Sequence, residues 1–440
     1  GPHRSIELAT AARAMTEERL RSLIESMYRA AVAHVDAGAS VRRVLDARSD
    51  GSIIINDDVV AGPGADIWAL AIGKAGCQMM AAVEDTLGDR LQDGIVITKN
   101  APQGLSLRSE VLLGSHPVPD TRSVEAGQRL IEFAESIPQG AVVLCLISGG
   151  GSSLVEALRS GIDLDQLRDI TQALLRGGAS IREINAVRSR LSLLKGGGLL
   201  DMLAGRTVVN LIVSDVLGNP LSIIASGPTV PPDSDERAED VVARYGLDID
   251  LPEVSEPTDN KPLLSVVVAD LAAAMTAAGD VARDHGLAVH VLGGGVDIEA
   301  HDAGRLFASI VAETIAERTS FSPPCCFIAG GETIVHVSGD GVGGRNCEAA
   351  VAAALRIAGL SGCAIGCLAT DGDDGISGAA GGIVDGETVD DPRSAEQSVA
   401  DNDTFTWLHR RGAALVTGPS GTNVNDLLLG VVVSEGWTVA

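Results

Sequence analysis

The chain has 440 residues, more than one hydrophobic core usually supports, so two domains are expected. Apolar residues make up 45% of it but aromatics only 2%, which calls for a core of Ala, Val, Leu and Ile. A balance of 33 basic against 59 acidic residues gives a net charge of -26, which disfavours nucleic acid and anionic membranes as partners, and no uncharged apolar run reaches bilayer length.

No charged-then-apolar leader opens the chain, and its seven scattered cysteines have neither disulfide nor zinc spacing, so a soluble cytoplasmic protein with reduced thiols is expected. Gly1, Pro2 and His3 read as a cloning remnant. Thr16 to Ala37 carries Leu20, Leu23, Ile24, Met27, Ala30 and Ala31 on one face and predicts a helix, with a second short one over Val41 to Ala47. Ile67 to Ile72 predicts a strand that ends at Gly73, Lys74, Ala75 and Gly76 before a helix to Leu87. Only four lysines occur, so one at a glycine-flanked strand end is poorly explained as general surface charge. Strands are expected over Gly94 to Thr98 and Glu110 to Gly114, followed by a proline-rich turn that presents His116 or Asp120.

Ala141 to Ser153, AVVLCLISGGGSS, is a buried strand running into Ser148, Gly149, Gly150, Gly151, Ser152 and Ser153, with a helix-compatible run to Arg159. Glycines let the backbone approach a ligand, and the amides of a following helix favour an anion. Helices follow over Leu164 to Arg176 and Ile181 to Leu194, the second ending at Lys195 before three glycines. A cation near the last carbonyls and a glycine beyond them are both expected at a helix C-terminus, so Lys195 has a structural explanation that Lys74 lacks. Thr207 to Val213 predicts a strand that delivers Asp215 to its end, where open α/β sheets place ligand groups.

Acidic, proline-containing stretches then mark a boundary, dividing the chain into 4-255 and 256-440. In the second part, helices are expected over Val266 to Asp284, Ala303 to Arg318 and Glu348 to Ala358. Strands are expected over Ala288 to Leu292, Cys325 to Ala329, Ile334 to Val337, Cys363 to Thr370, near Leu415 and over Leu428 to Val433. Arg345 follows two glycines and precedes a helix, so its guanidinium can join helix amides on a phosphate. The turn DGDDG, beginning at Asp371, is either a divalent-cation ligand or a solvated turn. Alternating strands and helices predict α/β folds with largely parallel sheets in both halves. Glycine-rich strand ends carrying Lys74, Arg345 and aspartates suit phosphoryl transfer, whereas dinucleotide, Walker and serine-hydrolase signatures are missing.

The motifs AIGKAG, GSHPVPD, LISGGGSSL, EINAVRSRLSLLKGG, SDVLGNPLSIIASGPT, GGET, GDGVGGRNCE, ATDGDDG and TGPSGTNVNDL occur in this order. Together they resemble the glycerate 2-kinase family, whose C-terminal part is the MOFRL domain and some of whose members are labelled hydroxypyruvate reductases. The resemblance implies a Rossmann-like N-terminal domain with a parallel sheet, a smaller α/β C-terminal domain, and an active site in the cleft between them. It implies ATP- and Mg²⁺-dependent phosphorylation of D-glycerate at the 2-hydroxyl. Lys74 and Arg345 would bind the substrate carboxylate and transferring phosphoryl group, with Asp215 as the third catalytic candidate. Ser148 to Ser153 and Lys195 would meet the nucleotide, and Asp215 and Asp371 the metal. A homo-oligomer is left open.

Arg190 stands where the family pattern has histidine, Gly198 where a basic residue is common, Asn219 where an acidic one is, and Cys347 where glutamine is. These departures leave a related hydroxy or sugar acid as an alternative acceptor. An NAD(P)H-dependent hydroxypyruvate reductase and a non-catalytic nucleotide sensor are the rival readings.

Overall fold

The computed structural model describes residues 2–101, 104–233, 235–254, 260–434 and 437, with side chains from residue 17 onward. Two compact units form, one from Ala37–Ala269 and the other from Gly1–Asp36 together with Asp270–Ala440. The sequence division at 255/256 lies outside the described residues, but the units divide later, because a strand at 264–269 completes the first unit's sheet. They also divide earlier, because helix α1 (Pro2–His34) packs on elements of the second unit.

The first unit starts with α2 (Ala37–Val44) and a small antiparallel sheet of β1 (Leu45–Ala47), β2 (Ile53–Ile55) and β3 (Asp58–Ala61). The expected helix over Val41 to Ala47 therefore ends early, where the chain turns extended to pair with β2. The main sheet contains β4 (Ile67–Ile72), β5 (Leu91–Thr98), β6 (Glu110–Leu113), β7 (Val142–Ile147), β8 (Thr207–Val213) and β9 (Leu264–Ala269). Its order is β6-β5-β4-β7-β8-β9 and every pairing is parallel. The first strand of this sheet in chain order thus lies at the middle, and the connection direction reverses between β4 and β7. Both faces are covered, which is why β7 reads as an unbroken apolar run with every residue buried.

Helix α3 (Gly76–Leu87) follows β4, and α4 (Thr121–Ser136) is started by a capping box in which Asp120 accepts from the Arg122 and Ser123 amides. Asp120 is therefore a helix cap and not a group presented to ligand. Helix α5 is the short turn Gly151–Leu154, and the expected helix to Arg159 does not form. Helices α6 (Leu164–Arg176), α7 (Ile181–Leu191), α8 (Gly198–Met202) and α9 (Ala238–Arg244) follow. Leu167, Leu174, Val187, Leu191 and Val241 join α6, α7 and α9 around a separate apolar cluster.

In the second unit, the expected helix over Val266 to Asp284 is β9 followed by α10 (Leu271–Asp284), the break being Asp270, whose carboxylate caps the helix at Ala273 N. The sheet is built from β10 (Ala288–Val296), β11 (Cys325–Gly331), β12 (Cys363–Ala369), β13 (Gly381–Asp385), β14 (Ala414–Leu415) and β15 (Asp426–Val432). Only the β10–β11 pairing in it is parallel, so a largely parallel sheet is corrected here. The cause is β15, which returns from the chain's end to lie between β11 and β12 and runs against both. The expected strand over Ile334 to Val337 is reduced to a bridge from Ile334 to Glu299, and β13 forms where no strand was expected.

Helices α11 (Ala300–Ile315), α12 (Arg345–Ile357), α13 (Pro392–Ala400) and α14 (Thr404–Arg410) complete the unit. Its scarcity of aromatics is met by close helix packing. A Cβ on Gly304 of α11 would stand 2.0 Å from the Ala349 carbonyl oxygen of α12, whose buried face carries Ala349, Ala350, Ala353 and Ala354.

Candidate active site

The reversal between β4 and β7 brings two glycine turns together at the strand ends. Gly73 turns with φ +130°, and a Cβ there would lie 2.1 Å from Ser148 Oγ, so only glycine lets the turns approach. The contact is sealed by Lys74 N donating to Gly149 O at 3.0 Å and Ala75 N donating to Ser148 Oγ at 3.1 Å. Ser148 is buried and spent on this junction, whereas Gly149 and Gly150 are partly open.

Gly150 is left-handed (φ 85°) and opens α5. A Cβ placed on it would stand 3.1 Å from His116 Cδ2 and 3.1 and 3.2 Å from Lys74 Cγ and Cε. The imidazole and the lysine stem therefore close on the same glycine. The Lys74 side chain is exposed and makes no ion pair among the described residues. Burial, aided by the positive charges of Lys74 and Lys99, pushes the His116 ring down to about 4, so it is neutral at pH 7. On the other side, a Cβ on Gly149 would fall 1.9 Å from Asp215 Oδ2. Lys74, His116, the glycine turn and Asp215 thus gather where parallel α/β sheets bind ligands, at the carboxyl ends of strands beside the point of reversal.

The turn is held from behind. Arg188 donates to Ser152 O at 2.6 Å, and Ser152 Oγ meets Ser226 Oγ at 2.8 Å, which in turn donates to Asn185 Oδ1 at 3.0 Å. Lys195 sits deeper: α7 ends at Leu191, and the Lys195 ammonium donates to Glu156 Oε2 at 2.5 Å with both side chains buried. Burial lowers it to about 8 against the pull of Glu156, with the Arg188 charge adding to the fall. Neither of the sequence readings for Lys195, helix end or phosphate contact, describes this place. Its charge is taken by a carboxylate 39 positions earlier in the chain.

In the second unit, Arg345 is the first residue of α12. Its Nε donates to Asp426 Oδ2 at 2.6 Å, Nη2 to Asp426 Oδ1 at 3.2 Å and Nη1 to Glu332 Oε1 at 3.0 Å. Burial pushes the Asp426 carboxyl up to about 6 even against Arg345, which leaves an ion pair at neutral pH. Glu332 is 55% exposed and is the more readily exchanged partner.

The helix amides expected to serve a phosphate beside Arg345 are already used. Asp374 accepts from Asn346 N at 2.9 Å and Cys347 N at 2.7 Å, so the acidic turn splits, with Asp374 buried as a cap, Asp371 half-buried and Asp373 exposed. Asp371 Oδ1 accepts from Asp373 N at 3.0 Å. Among the described residues, no three His, Cys, Asp or Glu side chains gather as a protein-built metal cage would. Mg²⁺ commonly takes one or two carboxylates, waters and substrate phosphates instead, a mode that Asp215 beside the glycine turn suits. Glu156 was not singled out in the sequence, and Asn185, Glu332 and Asp426 stand there only within the quoted motifs EINAVRSRLSLLKGG, GGET and TGPSGTNVNDL.

Residues 23–256 match the profile of a domain of unknown function, DUF4147, and residues 325–426 that of the MOFRL family. A D-glycerate 2-kinase of Thermotoga maritima is 38% identical, over 83% of this chain and 90% of the relative. A glycerate 2-kinase of Pyrococcus horikoshii is 35% identical over 91% and 95%, and a putative hydroxypyruvate reductase of Agrobacterium vitis 34% over 89% and 94%. The crystal structure of a Thermotoga maritima glycerate kinase superposes with a TM-score of 0.85 at 34% identity, covering 94% of this chain and all of that one.

Proposed function

This chain belongs to the glycerate 2-kinase family, and we propose on that premise that it transfers the γ-phosphoryl group of ATP to the 2-hydroxyl of D-glycerate, with Mg²⁺, giving 2-phosphoglycerate and ADP. The observation that carries the reading is the convergence of Lys74, His116 and Asp215 on the Gly149–Gly150 turn. In this reading the first unit is Rossmann-like, its strand order running 3-2-1-4-5-6 in order of appearance.

The amides of the partly open Gly149 and Gly150 receive nucleotide phosphates, and the Lys74 ammonium neutralises charge on the group in flight. Asp215, or Asp371 as the other candidate, would hold Mg²⁺, which would supply further charge neutralisation. The substrate 2-hydroxyl oxygen forms the new P–O bond as the bond to the β-phosphate bridging oxygen breaks. Its proton passes to Asp215 or to the neutral His116 ring, both placed at the turn. Arg345, oriented by Asp426, takes a substrate carboxylate by exchanging Glu332. Lys195 stays paired with Glu156 and supports the nucleotide turn from behind. The setting is cytoplasmic, which agrees with seven buried free thiols.

Purified protein with ATP, Mg²⁺ and D-glycerate is expected to release ADP and a product that co-migrates with 2- and not 3-phosphoglycerate. Absence of ADP release over a panel of hydroxy and sugar acids, or NAD(P)H oxidation with hydroxypyruvate in its place, would overturn the reading.

A further inference from the structure

Two of the four lysines leave the first sheet side by side, and the proposed phosphoryl transfer uses only Lys74 of the two. Strands β4 and β5 are in register at Ile72 and Ile97, so Gly73–Lys74 and Thr98–Lys99 emerge from neighbouring strand ends. Two bonds fix this junction: Gly73 N donates to Ile97 O at 3.0 Å, and Thr98 Oγ1 donates to Lys74 O at 3.4 Å. On the other side β5 pairs with β6, and Gly114 N donates to Thr98 O at 2.9 Å before the chain turns to His116. A Cβ on Gly114 would stand 1.8 Å from Leu154 O, so this turn is seated directly on α5, the helix that the glycine turn opens.

Three adjacent strand ends thus carry Lys74, Lys99 and His116. Thr98 is buried and anchors the backbone, while Lys99 beside it is exposed, and its charge reaches far enough to add to the fall of the His116 ring. Among the described residues the lysine ion pair is Lys195 with Glu156, so Lys74 and Lys99 stand without a counter-ion in a chain of 59 acidic residues. Their backbones are one strand spacing apart, about 4.8 Å, and two ammoniums anchored so closely favour an anion that can lie between them. The strand order decides which part of a nucleotide that is. The glycine turn follows β7, Lys74 follows β4 and Lys99 follows β5, so Lys99 lies one strand farther than Lys74 from the amides of Gly149 and Gly150. A phosphate chain that begins on those amides meets Lys74 first and Lys99 at its terminal end.

We propose, resting on the kinase reading, that Lys99 is a second phosphate-binding cation of this site, which holds the terminal phosphate of ATP on the side away from the glycine turn. The γ-phosphate then lies between the Lys74 and Lys99 ammoniums, while the α- and β-phosphates stay with the turn. Lys99 in this role discriminates a nucleoside triphosphate from a diphosphate, because the diphosphate ends before reaching it.

The test is the affinity of the full chain for AMP-PNP and for ADP, each with Mg²⁺, read by calorimetry in the wild type, Lys99→Met and Lys99→Arg. Lys99→Met keeps the apolar stem and is expected to weaken AMP-PNP binding at least about tenfold, as loss of a charged hydrogen bond does, and to leave ADP within about twofold. Lys99→Arg keeps a phosphate-binding charge and is expected to stay within about threefold for both nucleotides. Lys99 is exposed, so Lys99→Met is expected to unfold at the wild-type temperature, which separates a lost contact from a lost fold. Equal losses for AMP-PNP and ADP, or no loss for either, overturn the proposal and leave the kinase reading standing. A wild type that binds neither nucleotide overturns that reading, and this proposal with it.

Discussion

His116 makes the most direct prediction at the scale of one residue. Its folded value of about 4 lies below the ordinary 6.5, so in the window between them the unfolded ring binds a proton that the folded ring refuses. Stability from this group is therefore present above pH 6.5 and is lost as the pH falls toward 4. A proton NMR titration is expected to keep the His116 ring neutral down to about pH 5, and His116→Gln should flatten the acid limb of the stability curve. A ring midpoint near 6.5 would remove the burial argument and the role as a neutral acceptor beside Lys74. Sequence pointed to Lys74 because lysine is scarce and glycines flank it, and the structure leaves that ammonium exposed at the turn. Arg345 carried a similar signal, yet it rests in a fork with Asp426, 81 positions away. Side-chain type and local turn chemistry are legible from neighbours in the chain, but a charge's partner is not.

The glycine turn and α5 form an element whose support is electrostatic. Lys195 and Glu156 are both buried, and Glu156 also accepts from Ser192 Oγ at 2.5 Å. Lys195→Met leaves a buried carboxylate without its counter-charge and is expected to cost about 3–5 kcal/mol in urea unfolding. The double variant Lys195→Met with Glu156→Leu removes both charges and is expected to recover most of that loss. Equal losses in single and double variants would mean that the lysine acts through packing alone. The strand-turn-helix pattern around Gly149 was readable because β7 is buried on both faces and so is apolar throughout. Lys195 was misplaced for a related reason: glycines after a helical pattern read as a helix end, while here α7 stops earlier, at Leu191.

At the scale of the whole molecule, the chain leaves one unit at Asp36 and returns to it at Asp270, so α1 must find its partners across the intervening unit's sequence. Leu20, Ile24, Met27 and Ala31 are fully buried on α10 and the second sheet. Tyr28 donates to Ala369 O at 2.9 Å, and Gly362 N donates to Glu17 Oε1 at 2.8 Å. A Cβ on Gly366 of β12 would lie 2.6 Å from Ile24 Cγ2, so the strand is shaped for the helix. The apolar face of α1 was evident from its spacing, but an amphipathic stripe does not say what covers it, and adjacency in sequence assigned it to the wrong unit. Each of the large apolar side chains in that face stabilises the docked state by roughly 1.5–3 kcal/mol, too much for the remainder of the unit to lose without consequence. A fragment of residues 270–440 is accordingly expected to bind a hydrophobic dye and to unfold without a sharp transition. Adding a peptide of residues 16–36 in trans should restore cooperative unfolding, and the same peptide carrying Ile24→Asp should not, because a carboxylate would then face the surface left open by Gly366. A fragment that unfolds cooperatively at the same temperature with and without the peptide would show that α1 is an accessory to this unit and not part of its core.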